Sequence, residues 1–239
     1  MNIKKHMLGI FASVIVASSA GAESYTFNYD EDVYVSLFGR LISIQDQDVS
    51  AGADDFGVQA GGADYEVNYE DGWSVGALIG FPLVKSFRGE IEGSYSWWDA
   101  SDWDGTATLT IDGVDYTLGG SAKVEQWGRS VSLYTNLIWD VRGDTGIGFL
   151  KPYVGWGFGA DHTKEHLDNI TIAGSKVGVD EDIKSTRFGT QVFFGADVLH
   201  TSNWTGGLRF GGKRIFNSHE DPASDAEILG IQANIRYNF

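Results

Sequence analysis

No cysteine occurs in the 239 residues. That excludes a disulfide framework, thiolate chemistry and any cysteine metal site, and it suits export to an oxidising compartment. Proline is scarce, at three residues, so long strands can run without losing a ladder donor. Lysine and arginine number 17 against 33 acidic residues, for a formal net charge of −16. A chain of that sign argues against nucleic acid as a partner. Beyond the N-terminal segment no apolar run reaches the roughly 18 residues that a membrane-crossing helix needs. No segment of useful length carries a helical period. Phosphate-loop, nucleophile-elbow and zinc motifs are missing too, and no cofactor is expected.

What is present is period-two alternation. Leu229, Ile231, Ala233, Ile235, Tyr237 and Phe239 alternate with Gly230, Gln232, Asn234, Arg236 and Asn238 up to the last residue. A soluble sandwich rarely runs a strand into its terminus, because chain ends fray. A closed barrel in lipid does so, since its last strand must pair with its first and leave no edge. The apolar face then points out to lipid. The other end fits the same reading. Lys4 and Lys5, a short apolar stretch from Met7 to Ala17, and Ala20-Gly21-Ala22 have the order of a secretory signal peptide. Residues 1–22 are therefore expected to be removed, leaving 23–239 as one all-β domain. No cysteine follows the cleavage site, so this is not a lipoprotein signal.

Eight candidate strands follow: 33–44, 67–81, 87–98, 127–139, 153–160, 187–198, 207–216 and 228–239. The third is the plainest, with Phe87, Gly89, Ile91, Gly93, Tyr95 and Trp97 alternating with Arg88, Glu90, Glu92, Ser94 and Ser96. Connections 45–66, 99–126 and 161–186 are long and 82–86 and 200–206 are short; alternation assigns 217–227 to the long side and 140–152 to the short side. Outer-membrane barrels show this parity, with long loops outside and short periplasmic turns, and Greek-key sandwiches do not. The expected fold is an eight-stranded antiparallel transmembrane β-barrel, an up-and-down meander with a polar, filled lumen. Within the second long loop, 106–111 and 114–118 flank Asp112-Gly113, a two-residue turn signal. These arms are shorter than the ~9–11 residues of a membrane strand, so they read as a ribbon above the membrane. Were they to span, the barrel would have ten strands.

The aromatics give a separate test. Trp73, Tyr95, Trp97 and Trp127 are placed near the outer interface. Phe81, Phe87, Trp139, Tyr153, Trp204, Tyr237 and Phe239 are placed near the periplasmic one. Trp127 and Trp139 lie twelve residues apart, or about 30 Å at ~3.3 Å per residue and ~40° tilt, near the bilayer's apolar thickness.

Opposite parity places Arg40, Arg88, Glu90, Glu92, Asn136, Arg187, Gln191, Asp197, Arg209, Lys213, Asn234 and Arg236 in the lumen. Glu90, Glu92 and Asp197 are expected to pair with the inward cations. Arg40, Arg88, Arg187, Arg209, Lys213 and Arg236 outnumber them, so some cations must bond water or carbonyls. The cluster reads either as a narrow ion path or as a salt-bridged plug; eight strands leave little open volume, which favours the plug. Phe38 and Ile42, also inward, argue for a filled lumen.

The segments Phe87-Arg88-Gly89-Glu90-Ile91-Glu92-Gly93-Ser94-Tyr95, Asn136 within 133–139, Pro152-Tyr153-Val154-Gly155-Trp156-Gly157-Phe158-Gly159 and Ile235-Arg236-Tyr237-Asn238-Phe239 carry a resemblance. The mature chain resembles the small outer-membrane β-barrel family of opacity-type adhesins and porin-like surface proteins. The resemblance implies insertion by the barrel-assembly machinery, with Ile235, Tyr237 and Phe239 as the assembly signal, and a Gram-negative outer-membrane location. It also implies roles as adhesin, envelope-stabilising protein or narrow pore.

The loops are acidic. Asp46, Asp48, Asp54, Asp55, Asp64, Glu66, Glu70 and Asp71 fall in 45–72 with no basic residue, and Asp99, Asp102 and Asp104 precede Gly105 as an acidic turn. Oxygen-rich loops can hold calcium or magnesium, but the match to a calcium loop is poor. A solvated anionic surface is the plain reading. The expected partners are outer-membrane lipid and lipopolysaccharide, loosely bridging divalent cations and an extracellular ligand, with the chain monomeric. Ser218, His219 and Glu220 are the nearest thing to the catalytic set of a lipid A-modifying barrel. Three consecutive residues cannot converge on one site from a strand, and nothing aligns His162 or His166 with them. A surface protein without catalytic activity is therefore expected, with a small-solute channel as the alternative.

Overall fold

A computed structural model describes residues 33–50, 64–84, 86–111, 114–141, 150–172, 175–216 and 225–239. The expected signal peptide, residues 1–22, lies outside these, as do Asp54, Asp55, the Asp112-Gly113 turn and Ser218, His219 and Glu220. Ten strands form one antiparallel sheet: β1 (Tyr34–Ile44), β2 (Gln47–Ser50), β3 (Asp64–Tyr69), β4 (Gly72–Val84), β5 (Phe87–Ile111), β6 (Val114–Asp140), β7 (Lys151–Ile172), β8 (Ser175–His200), β9 (Trp204–Ile215) and β10 (Ala226–Asn238). Eight of them close into a ring in the order β1-β4-β5-β6-β7-β8-β9-β10, with β10 pairing back to β1. The last strand thus closes the wall: Ile235 faces Leu37 and Tyr237 faces Val35 across the ladder.

The register fixes the geometry. Stepping from Tyr34 through Gly80, Glu90, Asn136, Gly157, Gln191, Lys213 and Ile228 returns to β1 at Ile44, ten residues from the start. A stagger of ten over eight strands tilts each strand by about 40°, taking 3.3 Å rise and 4.8 Å spacing.

Alternation then sorts side chains as lipid requires. Leu37, Leu133 and Phe188 point outward, 65%, 62% and 75% exposed, while their neighbours Ser36, Ser132 and Gly189 are buried inside. Trp204, Tyr237 and Phe239 form an edge-to-face chain at the short-turn end, with centroids 5.0 and 5.2 Å apart.

Strand lengths depart from expectation. The β1, β4, β9 and β10 strands have 11–13 residues. The β5 to β8 strands have 22–27. The expected ribbon is the uninterrupted continuation of β5 and β6, paired out to Ile111 and Val114, and adds no spanning strand. Residues expected as the third long loop, 161–186, are a second such hairpin, paired out to Ile172 and Ser175. Asp99, Asp102 and Asp104 therefore lie within β5 rather than on a turn, on its outward face. The expected second strand divides: Val67 belongs to β3, which pairs with β2 and with β5, and the barrel strand begins at Gly72.

Above the barrel the strand polarity inverts. Inward residues Trp103, Ala122, Val124, Leu167 and Ile170 are buried, Trp103 at 1% exposure, while outward neighbours Ser121, Lys123, Glu125, Asp168 and Asp180 face solvent. Bulges at Ala100/Asp102, Glu125/Gln126 and Leu167/Asn169 bend the sheet in this upper region.

Candidate functional site

The lumen is built on the inward faces of all eight wall strands, with its ion pairs on β1, β5, β6, β7, β8, β9 and β10. Arg209 on β9 donates to both inward acids of β5: Nη2 to Glu90 Oε2 at 2.7 Å and Nη1 to Glu92 Oε2 at 3.1 Å. Glu92 also accepts from Arg40 Nη2 at 2.7 Å and from Asn136 Nδ2 at 3.2 Å. Arg40 continues to Gln232 Oε1, and Gln191 Nε2 donates to Asn136 Oδ1 at 2.7 Å. Nearer the short turns, Tyr34 donates to Glu90 at 2.7 Å, Arg88 pairs with Asp140 at 3.2 Å, and Arg236 pairs with Asp197. Rings fill the remaining space: the Arg209 guanidinium lies 4.0 Å from the Phe193 centroid and that of Arg88 4.9 Å from Tyr153.

Glycines on β7 make room for this packing. A Cβ at Gly155 would overlap the Phe193 ring, and one at Gly157 the Asn136 amide.

Two acids that the sequence reading left outside the lumen supply partners. Asp161, one residue beyond the expected end of the fifth strand, accepts from Lys213 Nζ at 2.6 Å, Tyr134 Oη at 2.5 Å, Ser130 and Ser132. Asp140, read as the start of a turn, takes Arg88. The expected excess of unpaired cations is therefore corrected: Arg40, Arg88, Arg209, Lys213 and Arg236 each meet a carboxylate. Period-two parity continued one step past Ala160 and Trp139 would have found both acids. Arg187 is half-buried, and its Nε donates to Ser185 Oγ at 3.0 Å. Tyr153, expected in the periplasmic belt, instead points inward at 2% exposure, because its parity matches Gly155 and Gly157.

A cavity of about 30 Å³, room for ordered water, lies between Arg40, Gln191, Arg209, Lys213 and Gln232. Toward the hairpin end Ile42, Ile44, Trp98, Ile215, Ala226 and Ile228 form an apolar layer across the lumen.

The hairpins carry their own polar surface. His166 Nδ1 lies 2.8 Å from Asp182 Oδ1 and its Nε2 lies 2.9 Å from Asp168 Oδ1. Hydrogen bonds from the ring to the Asp168 and then the Asp182 carboxylate raise the imidazole pKa above its ordinary value. Lys176 and then Asn169 hold Glu125 below the usual carboxylate range. His162, by contrast, meets Thr186 Oγ1 at 2.8 Å, so the two histidines do not converge.

No protein-family model matches the chain, and no curated protein matches it. Among solved structures it is similar to Neisserial surface protein A, with a TM-score of 0.50 at 15% identity, over 87% of this chain and 97% of that one. It is also similar to the outer membrane protein OprG of Pseudomonas aeruginosa, at TM-score 0.41 and 12% identity over 87% and 96%. For Ail, the attachment invasion locus protein of Yersinia pestis, the values are 0.39 and 10% over 87% and 99%. The first of these, with the closed eight-strand ring, shows the fold: this chain is built as a small outer-membrane β-barrel.

Proposed function

We propose that the chain is a non-catalytic surface protein of the Gram-negative outer membrane, a barrel anchor that holds a rigid hairpin platform for recognition outside the cell. The observation that carries this reading is the pairing of a filled lumen with a structured exterior. The lumen is crossed by ion pairs joining β1, β5, β8, β9 and β10, and an apolar layer lies over them. The hairpins β5–β6 and β7–β8 hold a buried apolar face of their own. Such rigidity is what a binding surface needs, and it leaves a solute no path. Residues 1–22 act as a cleaved export signal, and Ile235, Tyr237 and Phe239, outward-facing on the closing strand, act as the assembly signal. The acids of the hairpin end, including Asp46, Glu66, Asp102 and Asp104, form an anionic surface for an extracellular ligand and for loosely held divalent cations.

The test is a pair of hairpin deletions, removing 102–123 or 166–182, scored for adhesion of expressing cells to host cells and matrix. Loss of adhesion with retained heat-modifiable gel mobility is the expected result. Unchanged adhesion in both would refute the platform reading. In planar bilayers the intact protein should be silent, and lipid A mass spectra should not change on overexpression.

A further inference from the structure

Three basic side chains stand side by side on the outside of the wall. Arg129 on β6 pairs in register with Lys164 on β7, and Lys164 with Lys184 on β8. All three point outward, and Arg129 and Lys184 are exposed. With the strands tilted about 40°, the row climbs roughly 3 Å per strand. Like charges set directly opposite each other on adjacent strands repel, so such a row destabilises the sheet unless an anion lies against it. The nearby counter-charges sit one step further out, where Asp99, Trp127, His166 and Asp182 form the next row. Asp182 takes Lys164 at 2.9 Å. Among the described residues, no carboxylate pairs with Arg129 or Lys184. On the β7–β8 hairpin Lys176, by contrast, is held by Glu125 at 2.8 Å.

The height of the row is specific. Arg129, Lys164 and Lys184 each stand ten residues above Trp139, Val154 and Phe194, which are cross-strand partners near the short-turn end of the lipid face. Ten tilted residues span about 25 Å, the height of an outer-membrane barrel's apolar band. The row thus meets the membrane where headgroups begin. Beside it the wall opens into a groove of about 450 Å³ lined by Tyr95, Trp97, Asp99, Trp127 and Arg129. Trp127 lies between the cations: Arg129 is 4.4 Å and Lys164 5.5 Å from its ring centroid.

We infer that Arg129, Lys164 and Lys184, with the Trp97–Trp127 groove, form a site for the phosphorylated sugar headgroup of an outer-leaflet glycolipid. The guanidinium and ammonium groups take the phosphate, and the indole faces take the sugar. The site lies on the barrel wall and does not depend on an extracellular ligand at the hairpin tips.

The full chain is refolded into phosphatidylcholine nanodiscs and titrated with bis-phosphorylated lipid A or with its dephosphorylated form. Binding is read by tryptophan fluorescence and by native mass spectrometry. The phosphorylated lipid should bind at least tenfold more tightly. Lys184→Gln, an exposed change that leaves the wall intact, should weaken binding severalfold. R129Q/K184Q should weaken it tenfold or more, while K123Q/K176Q, on the same hairpins outside the row, should not change it. Heat-modifiable mobility reports that each variant is folded. Equal affinity for the dephosphorylated lipid, or wild-type affinity in R129Q/K184Q, would overturn the assignment. Inorganic phosphate competing at the lipid's own concentration would also overturn it, in favour of a free-anion site.

Discussion

The same strands are built two ways along their length. In the lower part of β5, β6 and β7 the outward residues are Ile91, Leu133 and Phe158 and the inward ones are Glu90, Asn136 and Asp161. In the upper part the outward residues are Asp104, Lys123 and Asp168 and the inward ones are Trp103, Val124 and Leu167. No strand turns over between the two regions; the surroundings change. Where lipid lies outside, the apolar face goes out and the polar face must satisfy itself inside, through ion pairs. Where water lies outside, burial of apolar surface again favours the ordinary arrangement. The crossover, near the row of Trp97, Arg129 and Lys164, marks the membrane boundary on the protein itself.

The largest effect should come from breaking the lower region's polar interior. Arg209→Ala takes the guanidinium from Glu90 and one of two arginines from Glu92 and should cost about 3–5 kcal/mol, read by urea unfolding from lipid vesicles. Trp103→Ala should cost about 3–4 kcal/mol by emptying the upper core. That loss should be local: hydrogen exchange should quicken in the β5–β6 hairpin while heat-modifiable mobility is kept. Global unfolding there would show that the two regions are one cooperative unit. Leu133→Arg, on the lipid face, should cost about 2–4 kcal/mol, whereas Ser132→Arg should act instead through lumen packing. Twelve residues up the same outward face, Ser121→Arg should be nearly neutral; a matching cost there would place the boundary wrongly.

The smallest effect is a pH dependence confined to the upper region. Because the folded-state pKa of His166 is raised, its contribution is complete below the unfolded value near 6.5 and is lost as pH rises through the folded value. Exchange protection in the β7–β8 hairpin should therefore fall as the pH is raised through and beyond 6.5. His166→Gln should remove that dependence and leave the barrel's exchange unchanged.

This two-way construction also explains what was legible in the sequence. Alternation with apolar residues out identified all eight wall strands, and it put Ile235, Tyr237 and Phe239 on the outward face. The same rule failed where the surroundings change. Above Trp97 and Trp127 the apolar positions shift to the opposite face and bulges interrupt the period, so 99–126 and 161–186 read as loops. Asp161 escapes the pattern because it follows the last outward apolar residue, Ala160. Val67 reads as part of the second strand because residues 70–71 interrupt the ladder without breaking the pattern. Tyr153 reads as a belt residue because aromatics at strand ends usually face the interface; parity puts it inside. The network across the lumen, with Arg209 reaching from β9 to two acids on β5, depends on ring closure and stagger, which no local pattern encodes.

The most direct test of the inversion is a cysteine scan along β6, made possible by a chain that has no cysteine of its own. Single cysteines at Ala122, Lys123, Val124, Glu125, Val131, Leu133 and Leu137 are treated with a membrane-impermeant maleimide in intact cells. Strong labelling at 123 and 125, protection at 122 and 124, and protection at 131, 133 and 137 is the predicted pattern, with the last three labelled only by a lipid-soluble reagent. Equal labelling of 122 to 125, or labelling of 131 to 137 by the impermeant reagent, would contradict it.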